Sequence, residues 1–234
     1  MKTIGLIGGM SWESTIPYYR ALNEAVKQQL GGLHSARCIL YSVDFHDIEQ
    51  LQHVGNWDAA GAMLADAARS LEQAGADFIV LCTNTMHKVA SSIEAAVNIP
   101  LLHIADATAM AIKQAGFNRV GLLGTKFTME QPFYRDYLSE QHGIEVLVPN
   151  DAERDSLHQI IYQELCQGII NSESKQAVRR MMAGLAWQGV DAIILGCTEI
   201  GLLVGKADAA VPLFDTTLLH ANAAVQLALA PGDS

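Results

Sequence analysis

Two short segments of the chain carry side chains that could hold a small anion and move a proton. They follow apolar runs ending at residues 81 and 195, and read Cys82-Thr83-Asn84-Thr85-Met86 and Gly196-Cys197-Thr198-Glu199. A cysteine thiolate can act as a base, and hydroxyl and amide groups can bind a carboxylate. Because a helix is predicted after each segment, backbone N–H groups at the helix start can hold a carboxylate too. Asn84 and Thr198 could equally cap those helices, and one residue can do both.

The elements that position these segments follow a regular alternation. Strands are predicted at residues 4–7, 39–43, 78–81, 101–104, 120–123, 145–148, 192–195 and 213–214. Helices are predicted at residues 16–30, 58–73, 86–96, 107–114, 131–141, 156–168 and 174–187. Strands that are apolar on both faces and alternate with amphipathic helices are typical of α/β folds with parallel sheets.

An internal repeat relates the two segments. Residues 4–8 match 120–124, 17–20 match 132–135, 75–81 match 189–195, and 99–101 match 211–213. The offset drifts slowly while the order is kept, which predicts two similar half-molecules facing each other across a pseudo-twofold axis. Ligands of open α/β sheets bind beyond the carboxyl ends of the strands. We therefore expect the two segments to meet across a cleft that forms the active site.

Composition excludes several classes of protein. The 234 residues are 50% hydrophobic and 17% charged, an ordinary globular balance, and the net charge of −10 argues against nucleic acid as a partner. No apolar run is long enough to span a membrane, and the first residues read as a strand rather than a signal peptide. The four cysteines are widely spaced, as in proteins with reduced thiols, so we expect a cytoplasmic protein. Neither a metal site nor a cofactor is predicted, because the eight histidines do not cluster with carboxylates at ligand spacing and no lysine has a phosphate-loop or Schiff-base context.

Residues 4–10, the loop at 83–87 and the Gly-Cys-Thr-Glu segment at 196–199 together resemble the aspartate/glutamate racemase family. The likeness covers essentially the whole chain and is greatest to the bacterial broad-specificity and aspartate/glutamate-specific amino-acid racemases. It implies two α/β domains around a cofactor-free cleft, a homodimer, and a C-terminal segment that returns to the first domain. We accordingly expect domains at residues 1–98 plus 214–234 and at 99–213. The implied activity is removal and return of the α-proton of a free amino acid, with D-amino acids among the substrates or products.

The resemblance also assigns the acid–base pair. Most family members use two cysteines on opposite faces of the α-carbon, but here Thr83 stands where the first is usual and Cys82 lies one position earlier. A shift of one residue along an extended chain turns a side chain to the other side, so Cys82 is expected in the core. Thr83 and Cys197 are the predicted catalytic residues. An alcohol is a poor base, and Cys197 is therefore the candidate that removes the α-proton, while Thr83 donates or relays one.

Eight further residues are predicted to contact the substrate. Asn84, Thr85, Met86, Thr198 and Glu199 belong to the two segments, and Met10 follows the first glycine-rich turn. Gln52 and Cys166 stand where acid-specific relatives carry basic residues, which favours a polar uncharged or broader range of substrates, such as homoserine, over aspartate and glutamate alone. His87 is expected to be a hydrogen-bonded structural group.

Three alternatives remain open at this stage. Gly5-x-x-Gly8-Gly9 resembles a dinucleotide-binding turn, but the spacing is wrong and Asp44 lies too far along the chain. Two α/β lobes around a cleft also describe non-catalytic amino-acid-binding modules. Within the resemblance, a malonate-type decarboxylase needs only the second-loop cysteine, although the intact Asn-Thr segment argues against it.

Overall fold

The computed structural model describes residues 1–231, which form two compact units. The first unit comprises Met1–His103 and the C-terminal segment from His220, and the second comprises Ile104–Leu219. The limits expected from the sequence, 1–98 plus 214–234 and 99–213, place the same crossings a few residues earlier, and residues 232–234 lie outside the described part of the chain. No helix in the described residues is long and apolar enough to cross a membrane.

Strands and helices alternate along the described chain. The strands are Ile4–Gly8 (β1), Cys38–Ser42 (β2), Phe78–Leu81 (β3), Leu101–Leu102 (β4), Arg119–Gly124 (β5), Glu145–Leu147 (β6), Ala192–Gly196 (β7) and Leu213–Asp215 (β8). The α-helices are Trp12–Leu30 (α1), Phe45–His53 (α2), Trp57–Gln73 (α3), Ala90–Glu94 (α4), Ile104–Gln114 (α5), Lys126–Glu130 (α6), Pro132–His142 (α7), Asp151–Gln163 (α8), Ser172–Trp187 (α9), Ile200–Leu203 (α10) and Thr216–Leu229 (α11). Short 3-10 helices span Thr85–Val89, Leu165–Gln167 and Lys206–Asp208.

The first unit is built on a parallel sheet in the order β2-β1-β3-β4. Its central strands β1 and β3 are buried on both faces, as expected for a parallel sheet covered by helices. Ile79 and Leu81 of β3 pack with α3 on one face. Phe78 and Val80 pack with α1 and α11 on the other. The apolar runs of the sequence thus form the middle layer of a three-layered unit.

The second unit repeats this topology. Its parallel sheet has the order β6-β5-β7-β8, so that β5 and β7 occupy the central positions that β1 and β3 hold in the first unit. The core includes residues of β5 and β7 together with α7, α8 and α9. The prediction of two similar α/β halves with parallel sheets is confirmed.

Each of the eight predicted strands is present, but α2, α6, α10 and α11 were not predicted. The first three span nine residues or fewer, too short to show a clear helical period. The long helix α11 is apolar nearly all round, so it lacks the polar stripe by which an amphipathic helix is detected. Helix α8 begins at Asp151 rather than 156, because Asn150 and Glu153 form a capping box.

Candidate active site

The first candidate loop leaves the carboxyl end of β3 and turns at once into a 3-10 helix. The Thr83 N–H donates to the Leu81 carbonyl over 2.8 Å, and the His87 N–H donates to the Asn84 carbonyl over 3.1 Å. The predicted substrate-binding residues Asn84, Thr85 and Met86 are all buried here. Asn84 occupies the N-cap position of the 3-10 helix but makes no capping hydrogen bond with its side chain. The structure thus gives no support to a capping role for Asn84.

Cys82 and Thr83 are adjacent in this loop, but their side chains have different surroundings. Cys82 is fully buried in the core with residues of α1 and α11, and burial raises the pKa of its thiol, with a further rise from the Cys38 thiol. A thiol in such surroundings is unreactive. Thr83, the next residue, keeps 8% of its surface exposed.

The second candidate loop leaves the carboxyl end of β7. Gly196 is the last residue of that strand, where an added Cβ would lie 2.6 Å from Leu122 Cδ1 and 3.1 Å from the Leu123 carbonyl oxygen. A glycine therefore lets β7 lie close to β5 immediately before the candidate catalytic cysteine.

Glu199 connects the reactive groups of this loop. The Cys197 thiol donates to Glu199 Oε2 over 2.9 Å, and the Thr198 hydroxyl donates to the same oxygen over 2.8 Å. Cys166 lies on the Leu165–Gln167 3-10 helix, and its thiol is 3.7 Å from Glu199 Oε1. The carboxylate is 2% exposed. Four predicted site residues, namely Cys166, Cys197, Thr198 and Glu199, are thus brought into one cluster.

The electrostatics of this cluster favour a protonated thiol. Burial raises the pKa of Cys197 well above its ordinary range, and the Glu199 carboxylate and the Cys166 thiol raise it further. In the free protein Cys197 is therefore a thiol that donates to a carboxylate, and it becomes a base only when its proton moves away.

Met10, Gln52 and Met86 come together in the first unit. The Gln52 amide donates from Nε2 to the Met86 sulfur over 3.0 Å, and Gln52 is 4% exposed. Met10 and Met86 belong to one buried cluster with Ile48 of α2. Helix α2, which the sequence did not predict, is the element that carries Gln52 to this position.

None of the lysine and arginine side chains in residues 1–231 is buried. Lys88 Nζ lies 4.0 Å over the ring of Trp57, and partial burial lowers the pKa of Lys88. Arg135 pairs with Asp136, and Arg20 is exposed. Across residues 1–231, the buried polar and charged side chains include no lysine or arginine. The same residues contain no group of three histidine, cysteine, aspartate or glutamate side chains arranged to hold a metal ion.

A histidine cluster supports the first loop and was only partly expected. The ring centroid of His87 lies 4.5 Å from that of His103 and 6.0 Å from that of His220. The prediction that His87 is hydrogen bonded is confirmed, because its Nδ1 lies 2.7 Å from the Thr83 carbonyl oxygen. His103 and His220 were missed, since they are far apart in sequence and no local motif joins them.

The chain is similar to known racemases over most of its length. A family model described as Asp/Glu/Hydantoin racemase matches residues 7–224. The broad-specificity amino-acid racemase RacX of Bacillus subtilis is 26% identical over 232 residues, which is 97% of this chain and 98% of that protein.

Solved structures agree with these matches. A candidate Asp/Glu racemase from Yersinia pestis is 63% identical, with a TM-score of 0.90 and coverage of 98% of this chain and 100% of the other. An aspartate racemase homologue from Pyrococcus horikoshii is 37% identical, with a TM-score of 0.83 and coverage of 97% and 99%.

Proposed function

The chain belongs to the Asp/Glu/hydantoin racemase family and is an amino-acid racemase, an isomerase, and from that premise we propose that it inverts the α-carbon of a free amino acid without a cofactor. One observation carries the proposal, the 2.9 Å hydrogen bond from the Cys197 thiol to Glu199. A thiol beside a buried carboxylate is a pair that can pass one proton back and forth during acid–base catalysis.

In the proposed mechanism Cys197 removes the α-proton from one enantiomer. Its own proton first moves to Glu199, which leaves a thiolate. The α-ammonium group of the bound substrate stabilises that thiolate, because a nearby positive charge favours the anionic form of a thiol. Glu199 therefore acts on Cys197, although the sequence suggested that it contacts the substrate.

Thr83 is the proposed partner on the opposite face of the α-carbon. Its hydroxyl delivers a proton to the planar carbanion, directly or through a water molecule. The alkoxide or hydroxide left behind takes a proton from solvent, and Glu199 releases the proton that it received from Cys197. Because an alcohol abstracts protons far less readily than a thiolate does, the two directions of the reaction are unequal. We expect the enantiomer that Cys197 deprotonates to be the better substrate, and the family resemblance points to the L form.

The α-carboxylate is assigned to the two loops. Asn84 and Thr85 are buried polar residues at the start of the 3-10 helix, and Thr198 is buried in the loop after β7. Because the Thr198 hydroxyl donates to Glu199, its backbone N–H is the group assigned to the carboxylate. Hydrogen-bond donors fixed in place around a carboxylate stabilise the negative charge that develops when the α-proton leaves.

The substrate side chain is proposed to be polar and uncharged, with homoserine as the type and aspartate and glutamate as weaker substrates. Met10, Gln52, Met86 and Cys166 are the residues assigned to it. Gln52 and Cys166 carry no charge, and the buried side chains of the described residues offer no cation for a second carboxylate. The relative from Bacillus subtilis is named for broad specificity. We further propose that the enzyme is cytoplasmic and that it is a homodimer. Light scattering of the purified protein tests the dimer.

The deciding experiment follows the α-proton by NMR in heavy water. The protein is incubated separately with each enantiomer of aspartate, glutamate, homoserine, methionine and arginine. We expect fast loss of the α-proton signal with L-homoserine and slower loss with the acidic amino acids. If none of these amino acids loses its α-proton signal, the result contradicts the proposed function and favours a binding module. Carbon dioxide release from an aryl- or alkylmalonate in place of exchange favours the decarboxylase.

Two variants assign the exchange to the proposed thiol. Cys197→Ala should abolish exchange, and Cys82→Ala is its matched control, because the same atom is removed from a core site outside the proposed mechanism. Cys82→Ala should lower stability by about 1 kcal/mol with little change in exchange. Circular dichroism checks the fold of both. Loss of exchange in a folded Cys82→Ala, with retention in Cys197→Ala, contradicts the assignment.

A further inference from the structure

Three histidines form a buried group beneath the Thr83 loop in the first unit. His87 is 3% exposed and His220 is fully buried, and His103 is half-buried between β4 and α5. Their rings meet edge to face, with centroids 4.5 Å apart for His87 and His103 and 6.0 Å apart for His87 and His220. The mechanism proposed above uses none of them.

His87 makes hydrogen bonds to two successive carbonyls of the loop that carries Thr83. Its Nδ1 lies 2.7 Å from the Thr83 carbonyl oxygen, and its backbone N–H donates to the Asn84 carbonyl. A carbonyl oxygen can only accept, so Nδ1 must carry a proton and donate. This hydrogen bond spans four residues and fixes the backbone at Thr83.

His220 is held in a single neutral form by its two partners. Its Nε2 lies 2.9 Å from the Leu102 carbonyl, which again can only accept, so Nε2 carries the proton. Nδ1 is then an acceptor and receives the hydroxyl of Tyr18 over 3.0 Å. Helix α1 and strand β4 thus fix the ring of His220, which lies on α11, and His87 packs against this ring.

The surroundings of His87 and His220 favour their neutral forms. Burial lowers the pKa of His87 well below its ordinary range, and His103 and His220 lower it further. Burial also lowers the pKa of His220 to about 4. Two rings that are neutral and oriented by hydrogen bonds form a rigid support without adding charge beside the loop.

We propose that His87 is a positioning residue that holds the Thr83 carbonyl through its Nδ1–H, and so orients the Thr83 hydroxyl toward the α-carbon. The inference rests on the proposed function, since it assigns proton delivery to Thr83. It predicts that loss of the Nδ1 donor damages the step that uses Thr83 more than the step that uses Cys197, because a small misplacement of a reacting group lowers its rate steeply.

The test compares His87→Asn with His87→Leu. The Asn amide nitrogen can occupy the place of Nδ1 and donate to the Thr83 carbonyl, whereas Leu fills similar space without a donor. We expect His87→Leu to keep exchange of the enantiomer deprotonated by Cys197 within about threefold while net inversion falls at least about tenfold. His87→Asn should restore most of the inversion. Equal losses of exchange and inversion, or an Asn variant no better than the Leu variant, overturn the inference. Melting temperatures confirm that both variants are folded.

A second measurement is independent of activity. NMR of the protein with ¹⁵N-labelled histidine should show His87 as the Nδ1–H tautomer and His220 as the Nε2–H tautomer at neutral pH. The signal of His87 is identified as the one that is missing from the spectrum of His87→Asn. The Nε2–H tautomer for His87 overturns the inference, because its Nδ1 then has no proton to donate. If the wild-type protein exchanges no α-proton, the proposed function fails, and the tautomers still decide whether His87 donates to the loop.

Discussion

At the scale of single residues, the proposed chemistry depends on where the Cys197 proton goes. A buried thiol next to a carboxylate resists ionisation, and the raised pKa of Cys197 reflects both the burial and the negative charge. The same carboxylate is nevertheless within hydrogen-bond distance and can take the proton. In the proposed mechanism Glu199 thus disfavours the thiolate in the free protein and makes it accessible during turnover.

Replacing Glu199 separates these two effects. In Glu199→Gln the negative charge is gone, so the pKa of Cys197 should fall, while α-proton exchange should fall by about 10²-fold or more because the proton acceptor is lost. Thiolate absorbance at ultraviolet wavelengths is followed against pH, with Glu199→Gln/Cys197→Ala as the blank. A lower pKa together with undiminished exchange contradicts the proposed role of Glu199.

A second substitution tests the asymmetry of the pair. Thr83→Cys places a thiol where the family usually has one and should raise exchange of the enantiomer opposite to the one that Cys197 deprotonates, because a thiol is a stronger acid–base group than an alcohol. Thr83→Ser retains the hydroxyl and serves as the control. Deuterium incorporation is measured for each enantiomer separately. No preferential gain for the opposite enantiomer in Thr83→Cys argues against Thr83 as the second acid–base residue.

At the scale of secondary structure, short polar signals fix where elements begin. Asn150 caps α8 by accepting from the Glu153 N–H over 3.1 Å, and the Glu153 carboxylate accepts from the Asn150 N–H over 3.2 Å. This reciprocal pair satisfies two backbone donors at the helix start. It lies far along the helix from Leu165–Gln167, where Cys166 approaches Glu199.

The capping box allows stability to be changed without changing the chemistry. Asn150→Ala should lower the free energy of unfolding by about 1 kcal/mol, and Asn150→Asp should cost much less because its carboxylate still accepts from Glu153 N–H. Urea denaturation measures both. The rate of α-proton exchange per folded molecule should be unchanged, and a large loss of exchange in Asn150→Ala would show that α8 positions the site.

The sequence predicted the elements that show either a short apolar run or a clear helical period. The longer amphipathic helices have one, and the strands could be found as short apolar runs, but the apolar helix α11 and the short helix α2 give neither signal. The two loops could be located because each follows an apolar strand in a repeated block. The contact of Glu199 with Cys166 could not, because a side-chain contact between residues 33 positions apart has no local signature.

At the scale of the whole molecule, duplication gives two sheets of one topology and loops of different chemistry. The loop after β3 presents hydroxyl and amide groups and is supported by neutral histidines. The loop after β7 carries a thiol that is hydrogen bonded to a carboxylate. Conserving the order of strands while changing the loops is how one fold unit supports two distinct roles.

The buried histidines also couple the stability of the whole protein to pH. The pKa of His220 is lowered from an ordinary value of 6.5 to about 4, mainly by burial, and the pKa of His87 shifts in the same direction. Between these values the unfolded chain binds more protons than the folded protein, so stability is complete above pH 6.5 and falls as the pH drops toward 4. Asp215 opposes this at the acid end, because burial raises its pKa and the folded protein then takes up a proton more readily.

From neutral pH to about pH 5, His220 alone should cost about 2 kcal/mol of unfolding free energy. For a chain of this size, that corresponds to a fall of roughly 1 M in the midpoint of urea denaturation. His220→Gln keeps a nitrogen donor for the Leu102 carbonyl but does not titrate, so its midpoint should fall less over the same interval, with the residual change due to His87 and its neighbours. The two proteins are denatured in parallel at each pH, and the difference in their slopes isolates the contribution of His220. Parallel slopes would mean that His220 is protonated equally in the folded and unfolded states, which is incompatible with a buried ring that donates to Leu102 and accepts from Tyr18.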